Sequence, residues 1–142
     1  MSEAQRFDPE RFMTYVRNVG HGGAIGIAYH DHGEDWAELS LPYDERLIGM
    51  TESGIIASGP IVSLMDMATS LSVWLKLGRF RPQATLDLRV DYLRPAMPGR
   101  TVIGRGMCYR ITRSIAFVRG IAHDGDADDP VANVTGTFIG TE

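Results

Sequence analysis

One carboxylate stands alone in the longest apolar run of the chain. The run is SGPIVSLMDMATSLSVWLKL, from Ser58 to Leu77, and the carboxylate is Asp66. Such a group must be hydrogen-bonded, paired or protonated, because burying an unpartnered charge is costly. At helical spacing Asp66 shares a stripe with Ser63 and Ser70. That placement suits a general base acting on water, or a nucleophile. It equally suits a carboxylate held by hydroxyls or by an interface arginine for packing alone. At the start of the same helix, the backbone N–H groups of Ser58 and Gly59 lack intrahelical partners and lie at the positive end of the dipole. They fit the stabilisation of a developing oxyanion, the main electrostatic demand of acyl transfer. Pro60 has no N–H to add.

Other arrangements are weaker. Cys108 has no histidine beside it in sequence and reads as a core residue. Ser58-Gly59-Pro60 lacks the glycine-x-serine-x-glycine elbow. No phosphate-binding glycine loop and no zinc spacing is visible. His30-Asp31-His32, with Glu34 and Asp35, reads as a solvated hairpin turn rather than a metal site, and His21-Gly22-Gly23 as a flexible turn. Arg110 and Arg113 flank a turn between two strands, a place to meet a phosphorylated ligand.

The elements that must position these groups follow from periodicity. A first helix is expected over about 7–19, with Phe12, Tyr15, Val16 and Val19 on one face and Gly20 as its stop. Two short strands, Ala24 to Tyr29 and Trp36 to Leu41, form a hairpin. A turn-rich loop from Pro42 to Ala57 leads to the central helix, expected over about 60–77, with Pro60 as its start and Gly78 as its stop. Strands are expected over Thr85 to Arg94, Thr101 to Ile111, Ser114 to Asp124 and Val131 to Gly140. In the first of these, Leu86, Leu88, Val90 and Tyr92 alternate with Asp87, Arg89 and Asp91, which predicts one dry and one polar face. The sum is a single α+β domain over 1–142, an antiparallel sheet curled around one helix that is apolar nearly all round.

A net charge of -4 gives no footprint for nucleic acid. The polar, acidic start MSEAQRFDPE is no signal peptide, and Asp66 and Lys76 interrupt the central helix as a membrane span. One cysteine excludes an intrachain disulfide and fits a reducing compartment. A cytoplasmic chain is the expectation.

The order of elements, with TLDLRVDYLRPAMPG (85–99), RITRSIAFVRG (110–120) and ANVTGTFI (132–139), resembles the hot-dog fold thioesterases, in the branch of the phenylacetic acid degradation thioesterases. The resemblance runs from about Glu34 to Phe138. It implies a curved antiparallel sheet wrapped around one central helix, and hydrolysis of an acyl-CoA thioester at a site shared by two subunits. The family's catalytic aspartate matches Asp66, its oxyanion donor the N–H of Ser58 with Gly59 as the next residue, and its assisting hydroxyl Thr85. Coenzyme A enters as part of the substrate, with no separate cofactor and no metal, and Arg113, Arg79 and Arg81 are the candidates for its phosphates. A homodimer or a dimer of dimers is implied, without nucleic acid or membrane. The motif histidine is replaced by Ala57, and the upstream asparagine falls at Met50 or Thr51. A non-catalytic acyl-CoA or small-lipid binding protein of the same fold is therefore the rival reading. A dehydratase of that fold is weaker still, for want of a motif histidine. His21-Gly22-Gly23 imitates the motif but precedes the first strand pair.

Overall fold

The fold is built around one buried helix. The structure, a computed structural model, describes residues 6–141. Helix α3 spans Ser58–Leu77. It ends where Gly78, at φ 76, caps it in the left-handed conformation that only glycine adopts cheaply. Ile61, Leu64, Met65, Ala68, Leu71 and Trp74 join the main hydrophobic cluster. Ser63, Asp66, Met67 and Ser70 lie on the less covered side.

Six strands enclose the helix: β1 (Ala28–His32), β2 (Trp36–Leu41), β3 (Gln83–Tyr92), β4 (Val102–Ile111), β5 (Ile115–His123) and β6 (Ala132–Gly140). They form one sheet in the order β1-β2-β4-β5-β6-β3, with every pairing antiparallel. Strand β2 alternates as expected, with Ala37, Leu39 and Leu41 buried. Gly106 in β4 allows a close approach of helix to sheet, since a Cβ there would lie 2.6 Å from the backbone nitrogen of Thr69. No described helix is long and apolar enough to cross a membrane.

Two expectations need correction. The first helix is not continuous over 7–19. Helix α1 covers Pro9–Val16, and a second short helix, α2, covers Gly20–Ile25. The first strand accordingly begins at Ala28 rather than Ala24. Asp8 caps α1, its carboxylate accepting from the Arg11 N–H. Gly23 explains α2. A side chain there would collide with the Val16 and Arg17 carbonyl oxygens at 2.6 and 2.7 Å, so only glycine lets α2 pack on the end of α1. Tertiary packing overrides the poor helix propensity of the two glycines.

The second correction concerns the dry face of β3. Leu86 is 55% and Tyr92 44% exposed, while Leu88 and Val90 pack on the core. The register with β6 shifts between Thr85 and Asp87, a bulge that adds one residue and reverses the side-chain alternation across Leu86. Thr85 thereby shares the helix-facing side with Leu88, Val90 and Tyr92, and Leu86 does not. Strand β3 is also an edge strand, paired only with β6.

Candidate active site

The bulge is what brings Thr85 to Asp66. Its hydroxyl donates to Asp66 Oδ1 at 2.8 Å. Beside the pair, the Ser70 hydroxyl donates to the Asp66 carbonyl oxygen at 2.8 Å, so Ser70 serves the helix backbone rather than the carboxylate. A cavity of about 340 Å³ opens on this side of α3. Asp66, Ser63 and Ser70 supply its polar wall, and Val19, Ile27 and Met67 its apolar one. A half-buried carboxylate, oriented by one hydroxyl and facing an apolar cavity, has the arrangement a general base or nucleophile requires.

Sequence reasoning missed one lining residue. His21, in the first turn of α2, places Nε2 2.8 Å from the Ser63 hydroxyl, one helical turn before Asp66. It lines the same cavity. The His21-Gly22-Gly23 triplet is therefore no flexible turn. Its glycines seat α2 against α1, and α2 carries the histidine to the site. The only available signal was the pair of glycines itself, which reads more simply as a loop.

At the other end of the helix the start is held from several sides. The Ala57 N–H donates to the Leu47 carbonyl at 2.8 Å, the Gly49 N–H to the Ile55 carbonyl at 3.0 Å, and the Tyr43 hydroxyl to the Gly54 carbonyl at 2.8 Å. Ala57 occupies the N-cap position and has no side chain with which to cap it. Ser58 and Gly59 are both exposed. A capping side chain would have occupied an N–H group at this end, and its lack suits anion binding. The Tyr92 hydroxyl donates to the Ser58 carbonyl at 2.9 Å. Burial pushes the Tyr92 phenol above its ordinary pKa. The two exposed positions aligned with the missing motif asparagine, Met50 and Thr51, carry no amide to add.

The three arginines lie elsewhere. Arg79 and Arg81 follow the C-terminal end of α3, and Arg113 sits in the β4–β5 turn. That turn adjoins the same end, because the Gly140 N–H donates to Ser114 and the Thr141 N–H to Pro82. Arg79 and Arg113 are exposed. Arg81 is 5% exposed, with its guanidinium against Gly140 and its Nε and Nη2 without a hydrogen-bond partner among the described residues. In this chain it faces no open cavity of those lined by the groups above. Cys108 is fully buried, and burial pushes its thiol pKa up. Among the described residues, no three histidine, cysteine or acidic side chains gather as metal ligands.

Comparison with known proteins places this geometry. Residues 53–131 match the family model described as the thioesterase superfamily. A Haemophilus influenzae protein is 32% identical over 91 residues, so that the chain spans 64% of that relative's length and 64% of its own. The medium/long-chain acyl-CoA thioesterase YigI of Escherichia coli is 25% identical over 138 residues, 88% of each chain. A crystal structure of a Pseudomonas aeruginosa protein, 36% identical, superposes with a TM-score of 0.80 over 93% of this chain and 96% of the other.

Proposed function

The chain belongs to the thioesterase superfamily, and from that premise we propose that it hydrolyses acyl-CoA thioesters with a small, medium or aromatic acyl group. The observation that carries the reading is the Thr85–Asp66 hydrogen bond, which fixes a carboxylate at the wall of an apolar cavity. As general base, Asp66 takes a proton from water while the water oxygen adds to the thioester carbonyl. The carbonyl oxygen becomes an oxyanion and is met by backbone N–H groups of Ser58 and Gly59. Collapse then breaks the C–S bond, releasing the free acid and the coenzyme A thiolate. As nucleophile, Asp66 would instead form an acyl anhydride that water opens in a second step. Of the arginines at the far end of α3, Arg79 and Arg113 on the surface are proposed to meet the coenzyme A phosphates, and Arg81, buried against Gly140, is not.

The site shared by two subunits that the resemblance implies is in keeping with helix geometry. Ser58 and Asp66 are eight residues apart on one helix, about 12 Å along its axis at the usual rise. A carbonyl attacked at Asp66 is thus out of reach of its own chain's Ser58 N–H. A second copy is proposed to supply it, in a homodimer or a dimer of dimers, and the edge of β3, with Leu86 in the strand and Leu93 just after it exposed, is one of the two sheet edges open to such pairing. The chain is proposed to act in the cytoplasm, without nucleic acid or membrane as partner.

Ala57 in place of the motif histidine, with Met50 or Thr51 in place of the asparagine, favours one rival, a binding protein that retains the pocket without turnover. Thiol release across short, medium and aromatic acyl-CoAs, together with the molecular mass in solution, separates the two. Turnover by a dimer or tetramer supports the thioesterase. Binding of acyl-CoA with no release above the uncatalysed rate supports the rival.

A further inference from the structure

The geometry points to Tyr92 as a positioning residue for the oxyanion donors at the start of α3, an inference that rests on the thioesterase reading. Its hydroxyl donates to the Ser58 carbonyl at 2.9 Å. That carbonyl belongs to the same planar trans peptide as the Gly59 N–H, and in such a peptide the two groups point in opposite directions. Fixing one fixes the other. As the first residue of α3, Ser58 also has its carbonyl in the helical hydrogen-bond ladder, but side-chain restraints on the peptide are missing. Ala57 offers no capping side chain. Gly59 has no side chain to pack, and nothing lies within 4 Å of where its Cβ would be. Glycine also leaves the backbone its greatest freedom. The phenol of Tyr92 replaces these restraints from another element, and does so from the carbonyl side, leaving the Gly59 N–H unoccupied.

Tyr92 and Thr85 stand on one side of the same strand. Ordinary alternation puts Leu88, Val90 and Tyr92 on the helix-facing side of β3, and the bulge at Leu86 brings Thr85 to it. One end of the strand holds the Asp66 carboxylate through Thr85. The other holds the Ser58–Gly59 peptide through Tyr92. Strand β3 is therefore a spacer between the base and the oxyanion donors of each chain. Its register sets where both present themselves to the substrates of the two shared sites.

The test compares the native oligomer with Tyr92→Phe, which removes only the hydroxyl, and with Asp66→Asn. Steady-state thiol release from an acyl-CoA that the native protein hydrolyses should show kcat about tenfold lower in Tyr92→Phe, with KM within about twofold, because the donor acts on the transition state rather than on substrate binding. The Gly59 amide resonance, followed by NMR, should shift and exchange faster in Tyr92→Phe, with the rest of α3 unchanged. This second readout needs no turnover and is insensitive to general packing. An unchanged kcat, a rise in KM alone, or an unchanged Gly59 amide overturns the assignment. If Asp66→Asn keeps full activity while Tyr92→Phe behaves as stated, the role given to Asp66 fails and the tyrosine's stands. No native turnover on any acyl-CoA overturns both.

Discussion

Replacing Gly106 by alanine probes the contact that carries Asp66. Gly106 lies in β4 under the middle of α3, and an added Cβ would sit 2.6 Å from the Thr69 nitrogen and 2.7 Å from the Ala68 carbonyl carbon and oxygen. These are backbone atoms of the helix, so no side chain is free to swing aside. The closest contact is about 0.8 Å short of ordinary van der Waals separation. The helix must lift from the sheet by that amount or the strand must bend. Overpacking of this kind costs typically about 1–3 kcal/mol, and a clash with three backbone atoms belongs at the upper end. For a chain of this length, about 3 kcal/mol lowers the thermal midpoint by about 10 °C. Lifting α3 also draws Asp66 away from Thr85, so kcat/KM should fall further than the loss of folded protein explains. Thermal unfolding of Gly106→Ala, with activity measured well below its midpoint, checks both effects. Gly59→Ala serves as the contrast, since its Cβ meets nothing within 4 Å and alanine is the better helix former by up to about 1 kcal/mol. A midpoint for Gly106→Ala within about 2 °C of native would refute the described seating of the helix on the sheet.

Other consequences are equally direct. Thr85→Val removes the donor to Asp66 while keeping the side-chain shape. A hydrogen bond to a charged group contributes about 1.5–3 kcal/mol, and at this exposed position the lower figure applies, so kcat should fall about tenfold while Thr85→Ser retains most of it. Asp124 is held by a two-pronged ion pair with Arg94, at 2.7 and 3.0 Å, and accepts from the Met97 N–H at 2.8 Å. These bonds, the Arg94 pair foremost, hold its carboxyl well below the usual carboxylate range. The stabilisation is therefore fully present above the unfolded carboxylate value, about 3.9, and is lost as pH falls through the lower folded value. Asp124→Asn should lower the thermal midpoint at pH 7 by about 10 °C and flatten its decline below about pH 4. A native acid limb in the variant would contradict this.

Much of the architecture was legible because its signals are local. Turn residues separate β3 to β6, alternation marks the buried side of β2, and Gly78 ends α3 where a left-handed residue is needed. Asp66 stood out because a carboxylate in an apolar helix is expensive. What escaped depends on contacts between distant residues. The bulge at Leu86 leaves the alternating pattern intact to the eye while moving Thr85 to the helix-facing side. Helix α2 forms on glycines that alone favour a turn, because the end of α1 receives them, and His21 reaches Ser63 only through that packing. Arg81 is a candidate for the coenzyme A phosphates in the sequence. Its burial depends on Gly140, fifty-nine positions along the chain, leaving room for the guanidinium.

The most direct measurement of the central claim is thiol release from acyl-CoA by the native protein and by Asp66→Asn, with the fold and oligomeric state of the variant verified. The account predicts turnover by the native protein and its loss by at least about a hundredfold in the variant, as for removal of a general base or nucleophile. Turnover unaffected by Asp66→Asn, or none in the native protein, would contradict it.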